Sequence, residues 1–297
     1  MLRRPIALPL ALALAGLVAG CGGRSSAAPA AASGQERLAV TVGFYPYEFV
    51  ASRVGGDDVE VTNLTAPGAE PHDVELSPQQ VAGLSETDLV VYSRGFQPAV
   101  DEAVEQQASD RALDVLTAVQ LLEGEGREGD PHVWLDPTRL VTIAGAVADS
   151  LGELDPDRAG VFEQRALELS AELKALDGQL RQGLSDCERT QIVTSHDAFG
   201  YLAAAYGLEQ VSLAGLSPED KTSPKRLAEV ATYAKDNGVT TVFFEELVSP
   251  KVAQSLAREV GAEAKVLSPL EGPPESGDYL SAMRTNLESL RTALGCA

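Results

Sequence analysis

Between residues 38 and 150 the chain alternates short β-branched runs with stretches whose apolar positions recur at helical spacing. The runs at 38–42, 59–64 and 89–93 read as strands, and 78–84, 97–107 and 137–151 read as helices between or after them. Strands separated by helices point to βα units and a mostly parallel sheet. A second alternating region follows, with strands at 191–194, 209–213, 240–244 and 264–267 and helices at 199–206, 224–237, 250–260 and 279–294. Between the two, the chain runs from Asp155-Pro156, read as a helix start, to Leu184 without another proline. Phe162, Ala166, Leu169, Leu173, Leu176, Leu180 and Leu184 fall on one helical stripe there. A helix of that length spans roughly 43 Å, the height of a two-lobed protein. The expected fold class is α/β: two Rossmann-like α/β lobes, at 38–155 and 186–297, joined by one long rigid helix at 156–185.

The N-terminus departs from this pattern. Arg3 and Arg4 precede an apolar run from Ile6 to Val18 that is broken by Pro9, and Val18-Ala19-Gly20-Cys21 matches a bacterial lipobox. The run is short of the roughly 20 apolar residues that span a bilayer. Residues 1–20 are therefore expected to be an export signal and Cys21 the lipidated first residue of the mature chain. Residues 21–37, rich in Gly, Ser, Ala and Pro, are expected to be a flexible tether. This places the protein at the cell membrane, lipid-anchored on its extracytoplasmic face.

The formal charge of −21 argues against nucleic acid as a partner, which needs a basic face. It is compatible with handling cations, but acidity more often serves solubility. With Cys21 lipidated, Cys187 and Cys296 are left. In an exported protein such a pair favours a disulfide, two buried free thiols being the alternative. Neither has a second thiol close in sequence, which speaks against a cysteine zinc site.

The chain has three histidines, each in its own polar motif near a predicted loop or strand end: His72 in Glu-Pro-His-Asp-Val-Glu-Leu-Ser-Pro, His132 in Asp-Pro-His-Val-Trp-Leu-Asp-Pro, and His196 in Val-Thr-Ser-His-Asp-Ala-Phe-Gly-Tyr. A lone histidine is more often a hydrogen-bonded or solvated residue than a ligand, and the spacings match no local zinc motif. Three imidazoles with one oxygen do, however, make a tetrahedral zinc set. His196 lies just beyond a predicted strand, where open α/β sheets place their ligands, and His72 and His132 fall in loops that can reach the same cleft.

These motifs, with Phe-Phe-Glu at 243–245 and Tyr-Leu-x-x-Met-x-x-Asn-Leu at 279–287, resemble those of the solute-binding lipoproteins of bacterial zinc and manganese ABC importers, the ZnuA-like and TroA-like proteins. The resemblance runs in order through 38–295. It implies a metal in the cleft between two lobes, His72 and His132 as ligands from the first and His196 from the second. It also implies an ABC permease and its ATPase as partners and a monomeric, non-enzymatic role. Three imidazoles favour zinc, with manganese second, because manganese prefers carboxylate oxygen. Many relatives carry an aspartate after the last strand, where this chain reads Leu267-Ser268-Pro269-Leu270-Glu271. Glu271 is the candidate fourth ligand, with water or Glu70 as alternatives. Zinc-importing relatives also often carry a histidine-rich loop before the second histidine. Here 123–130 is a short acidic segment without histidine.

Trp134, the only tryptophan, is expected either to shield the metal or simply to fill core. Asp73, Asp136, Asp197 and Glu245 are candidates to orient the imidazoles, and helix N-capping is the alternative for Asp136 and Asp197. A lipid-anchored zinc hydrolase is the competing function, although no His-Glu-x-x-His motif supports it. An adhesin is the third reading, and no repeat or exposed aromatic segment calls for it.

Overall fold

The computed structural model describes residues 36–122 and 129–297; the signal segment, Cys21, nearly all of the tether and most of the acidic loop at 123–130 lie outside them. Strand β1 (Leu38–Val42) pairs in parallel with β2 (Val59–Asn63) on one side and β3 (Leu89–Tyr92) on the other, and β4 (Ala112–Asp114) joins beyond β3. The second lobe repeats the order, with β5 (Gln191–Thr194) between β6 (Glu209–Ser212) and β7 (Thr241–Phe244), and β8 (Glu263–Val266) outside β7. In each sheet the winding direction reverses at the central pair, β1/β3 and β5/β7. Loops leaving those strands diverge and open a crevice at their carboxyl ends.

The expected two α/β lobes are therefore present, with two elements that the pattern does not disclose. Helix α1 (Tyr45–Gly55) buries Tyr45, Pro46, Tyr47, Phe49, Val50, Ala51, Val54 and Gly55, so it lacks the polar face that gives a helical period. Strand β4 is three half-buried residues, too short to show alternation. The remaining helices are α2 (Pro78–Gly83), α3 (Pro98–Gln107), α4 (Pro137–Leu154), α5 (Ala159–Gly183), α6 (Gly200–Tyr206), α7 (Pro224–Asp236), α8 (Lys251–Val260) and α9 (Tyr279–Leu294). Their starts carry ordinary local chemistry. Ser77, Asp136 and Ser223 cap α2, α4 and α7, each with proline in the first turn.

The long helix begins at Ala159 rather than at Pro156. Asp155 ends α4, and its carboxylate accepts from both the backbone and the guanidinium of Arg158 at 3.1 and 2.6 Å, holding the intervening residues as a turn. From there α5 runs roughly 37 Å at 1.5 Å per residue. Its buried stripe of Phe162, Leu169, Leu173, Leu176 and Leu180 belongs to one continuous apolar cluster. That cluster also takes in Val42 and Leu151 from the first half of the chain and Ile192, Tyr279 and Leu290 from the second. Both α4 and α9 pack on α5, so the lobes share a core along this spine. Cys187 and Cys296 are joined by a disulfide. Arg189 N donates to Leu294 O at 3.1 Å and Ala297 N to Asp186 O at 2.9 Å, fixing the C-terminus to the chain that leaves α5.

Candidate metal centre

Four loops bring the chemistry together, and each is fastened before its functional residue. His196 sits two residues past β5, where Thr194 Oγ1 and Gln210 Nε2 donate to its carbonyl at 2.7 and 3.1 Å. His132 follows an Asp-Pro turn in which Asp130 Oδ1 accepts the backbone N–H of His132 at 3.0 Å, an Asx turn. His72 lies in the loop after β2; Gln97 Nε2 donates to Pro71 O at 3.1 Å, and the His72 ring lies 4.3 Å from that of Phe96. Glu271 ends the segment that leaves β8. Leu270 before it has φ 57°, the one non-glycine residue with positive φ among those described.

The Nε2 atoms of His72, His132 and His196 lie 3.4, 3.6 and 3.6 Å from Glu271 Oε1, and the four atoms are all within 4.8 Å of one another. Bonds of about 2.0–2.1 Å at tetrahedral angles separate ligand atoms by roughly 3.3–3.5 Å, so the arrangement is close to that of a zinc site. All four atoms are buried, and none has a hydrogen-bond partner among the described residues. Buried polar atoms are normally satisfied, and four that converge unsatisfied on one point are the signature of a cation site.

The far side of two imidazoles is set by carboxylates. His132 Nδ1 is 2.8 Å from Asp130 Oδ1, and His196 Nδ1 is 2.7 Å from Glu245 Oε1. Donation from Nδ1–H to these oxygens leaves the Nε2 lone pair facing inward. Glu245, the first residue after β7, reaches across the switch point to do this and also accepts from the Ser195 hydroxyl.

Protons and a cation compete for this cluster. Burial works against a charged His196, but the Glu245 and Glu271 carboxylates outweigh it and push the imidazole up to about 10. Burial likewise disfavours charge on His132, and Asp130 and Glu271 turn its shift upward. Among the described residues no carboxylate pairs with His72 at Nδ1, and burial lowers it. Burial alone would raise Glu271, yet the three imidazoles that face its carboxylate hold it well below the usual carboxylate range. Glu70 is pushed up to about 7 by burial and then by the charge of Glu271.

The structure thus brings His72, His132, His196 and Glu271 to one point. Glu70 stands outside this group and accepts the backbone N–H of Asp73 at 3.2 Å. Of the four acids considered for orienting the rings, Glu245 does so. Asp136 caps α4 by accepting Thr138 N–H at 2.8 Å and pairs with Arg139. Asp73 is exposed, and the N-cap of α6 is Phe199 rather than Asp197. Asp130 is an orienting residue outside that set of four, although Asp-x-His is the spacing at which an Asx turn folds the carboxylate back onto the residue two ahead. Trp134 is fully buried, its ring 5.1 Å from that of His132 and 4.7 Å from that of Phe44, so it walls the site and fills core at once.

Comparison with known proteins agrees with this geometry. The high-affinity zinc uptake system protein ZnuA of Bacillus subtilis is 36% identical over 301 aligned positions, covering 94% of either chain. The zinc-binding lipoprotein AdcA of Streptococcus pneumoniae is 34% identical over 86% of this chain, which spans 55% of that longer protein. The structure of the laminin-binding protein Lmb of Streptococcus agalactiae, described as having adhesin and metal-transporting activity, superposes with a TM-score of 0.81. It is 32% identical and covers 88% of this chain and 100% of that one. Residues 40–293 match the family described as zinc-uptake complex component A, periplasmic, and the chain belongs to that family.

Proposed function

We propose that this protein captures Zn2+ through His72, His132, His196 and Glu271 outside the cytoplasmic membrane and delivers it to the permease of an ABC importer powered by its ATPase. The observation that carries this reading is the convergence of four buried, unpartnered ligand atoms at near-tetrahedral separations. Three imidazoles and one carboxylate favour zinc over manganese, whose sites are richer in oxygen. One chain supplies all four atoms, so the site needs no second copy, and the protein is read as a monomer held at the membrane by a lipid on Cys21.

The family is one of import components, and the site itself argues against hydrolysis. A catalytic zinc keeps a coordination position open for water, whereas here Glu271, 2% exposed, takes the fourth. The test is the metal content of untagged protein purified from the cell envelope. One zinc per chain, lost on replacing any of the three histidines, is the expected result; stoichiometric manganese, or zinc retained by all three variants, would overturn the assignment.

A further inference from the structure

The segment that delivers Glu271 is held in an unusual way. Its outer side faces a cavity of about 850 Å³ lined by Ser268, Pro269, Glu271, Leu247 and Thr285, so packing on that side does not fix it. Hydrogen bonds do. Asn286 on α9 clamps Ser268 by accepting its N–H at 2.9 Å and donating to its carbonyl at 2.7 Å. The next carbonyl, that of Pro269, accepts the indole N–H of Trp134 at 2.7 Å, across the cleft from the other lobe. The backbone of Trp134 is held in return, its carbonyl accepting from Tyr279 Oη at 2.5 Å.

The indole bond falls immediately before the left-handed residue. The peptide plane between Pro269 and Leu270 is the one whose rotation sets φ of Leu270, and a branched residue is strained at φ 57°. Rotation about the Cα–C bond of Pro269 turns that plane and carries the chain after it, swinging Glu271 off its line to the imidazoles. The indole donor opposes this turn by holding the Pro269 oxygen, a buried acceptor that would otherwise go unpaired. Trp134 also lies two residues after His132, in the three-residue helical turn Val133–Leu135. One rigid turn of the first lobe therefore carries one ligand and the grip on another.

We infer that Trp134 is a positioning residue for the fourth ligand: its N–H locks the Pro269–Leu270 peptide in the orientation that presents Glu271 to the metal, and so sets how long the metal is retained. This rests on the four-residue site proposed above.

The experiment is a chelator chase of the zinc-loaded full chain, which reads the dissociation rate. Because the chain has a single tryptophan, growth of a tryptophan auxotroph on 3-benzothienylalanine replaces it with an isostere lacking the N–H, alongside the Trp134→Phe variant. Both are expected to release zinc about tenfold faster, the loss of one buried hydrogen bond. They are also expected to show faster amide exchange at Leu270 and Glu271 in the metal-free protein. In a Glu271→Ala background the isostere should add nothing further, since the residue it positions is gone. A dissociation rate within about twofold of wild type for the isostere, or an acceleration that persists undiminished without Glu271, would overturn the inference and leave the site intact. Unchanged zinc retention by His132→Ala and Glu271→Ala would overturn both.

Discussion

Replacing Glu245 by glutamine separates the two things its carboxylate does to His196. In the metal-free protein the imidazole is pushed up to about 10, and zinc can bind only to the neutral ring. At pH 7 binding must therefore expel a proton held about three units above ambient pH. At about 1.4 kcal/mol per unit this costs roughly 4 kcal/mol of intrinsic affinity. Zinc affinity of the wild type should climb about tenfold per pH unit between 7 and 9 and level off near 10. A glutamine oxygen can still accept from Nδ1–H at the 2.7 Å position, so the tautomer survives, but the negative charge is gone. The ring should fall back toward its ordinary value, and the climb above pH 7 should flatten. Loss of the charged partner weakens the metal bond by about 10- to 100-fold. That deficit should appear in full only above about pH 10, where the wild-type ring has lost its proton, and at pH 7 relief from proton competition, worth up to about a thousandfold, should outweigh it. The folded metal-free protein gives the opposite trend. A raised imidazole contributes stability that is fully present below about pH 6.5 and lost as pH rises through about 10. Competition titrations against a chelator of known affinity, with calorimetry in two buffers of different ionisation enthalpy to count protons, are the assay. A Glu245→Gln variant that keeps the wild-type pH slope would show that the displaced proton sits elsewhere, and the reasoning would fail.

Alanine at His72, His132 or His196 should weaken zinc binding by several orders of magnitude with the fold retained, and Glu271→Ala by less because water can replace a carboxylate. Calorimetric titration decides, and near-wild-type affinity in any one histidine variant removes that residue from the site. Removal of the Cys187–Cys296 bridge, which closes a separation of 109 residues, should cost up to about 4–5 kcal/mol in denaturant unfolding. Non-reduced peptide mapping of protein from the cell envelope should show the bridge rather than two thiols. Zinc should protect amides in 68–75, 129–133 and 268–278 and change α5 little, since the lobes share its buried stripe. Extensive new protection along α5 in hydrogen exchange would make it a hinge instead of a spine.

Much of this molecule is legible in one dimension because its elements are locally encoded. The stripe from Phe162 to Leu184 and the β-branched runs declare themselves by period, and Asp136 is open to a reading as a helix cap. The three histidines declare themselves by rarity and by the motifs around them. Where the local code fades, so does the reading. Helix α1, buried nearly all round, has no polar face to mark it, and a carboxylate turn at Asp155 moves the start of α5 three residues along the chain.

What only the tertiary structure decided is which distant atoms share a point. That Glu271 rather than Glu70 closes the ligand group depends on a left-handed residue, on Asn286 and on an indole from the opposite lobe, the last two remote from it in sequence. Asp130 orients His132 through a local turn, but Glu245 reaches His196 only because parallel pairing sets β7 beside β5. A ligand's type is a property of its residue and can be read along the chain. Its direction is set by hydrogen bonds and packing between segments far apart in sequence, and those exist only once the two sheets have closed around their common helix.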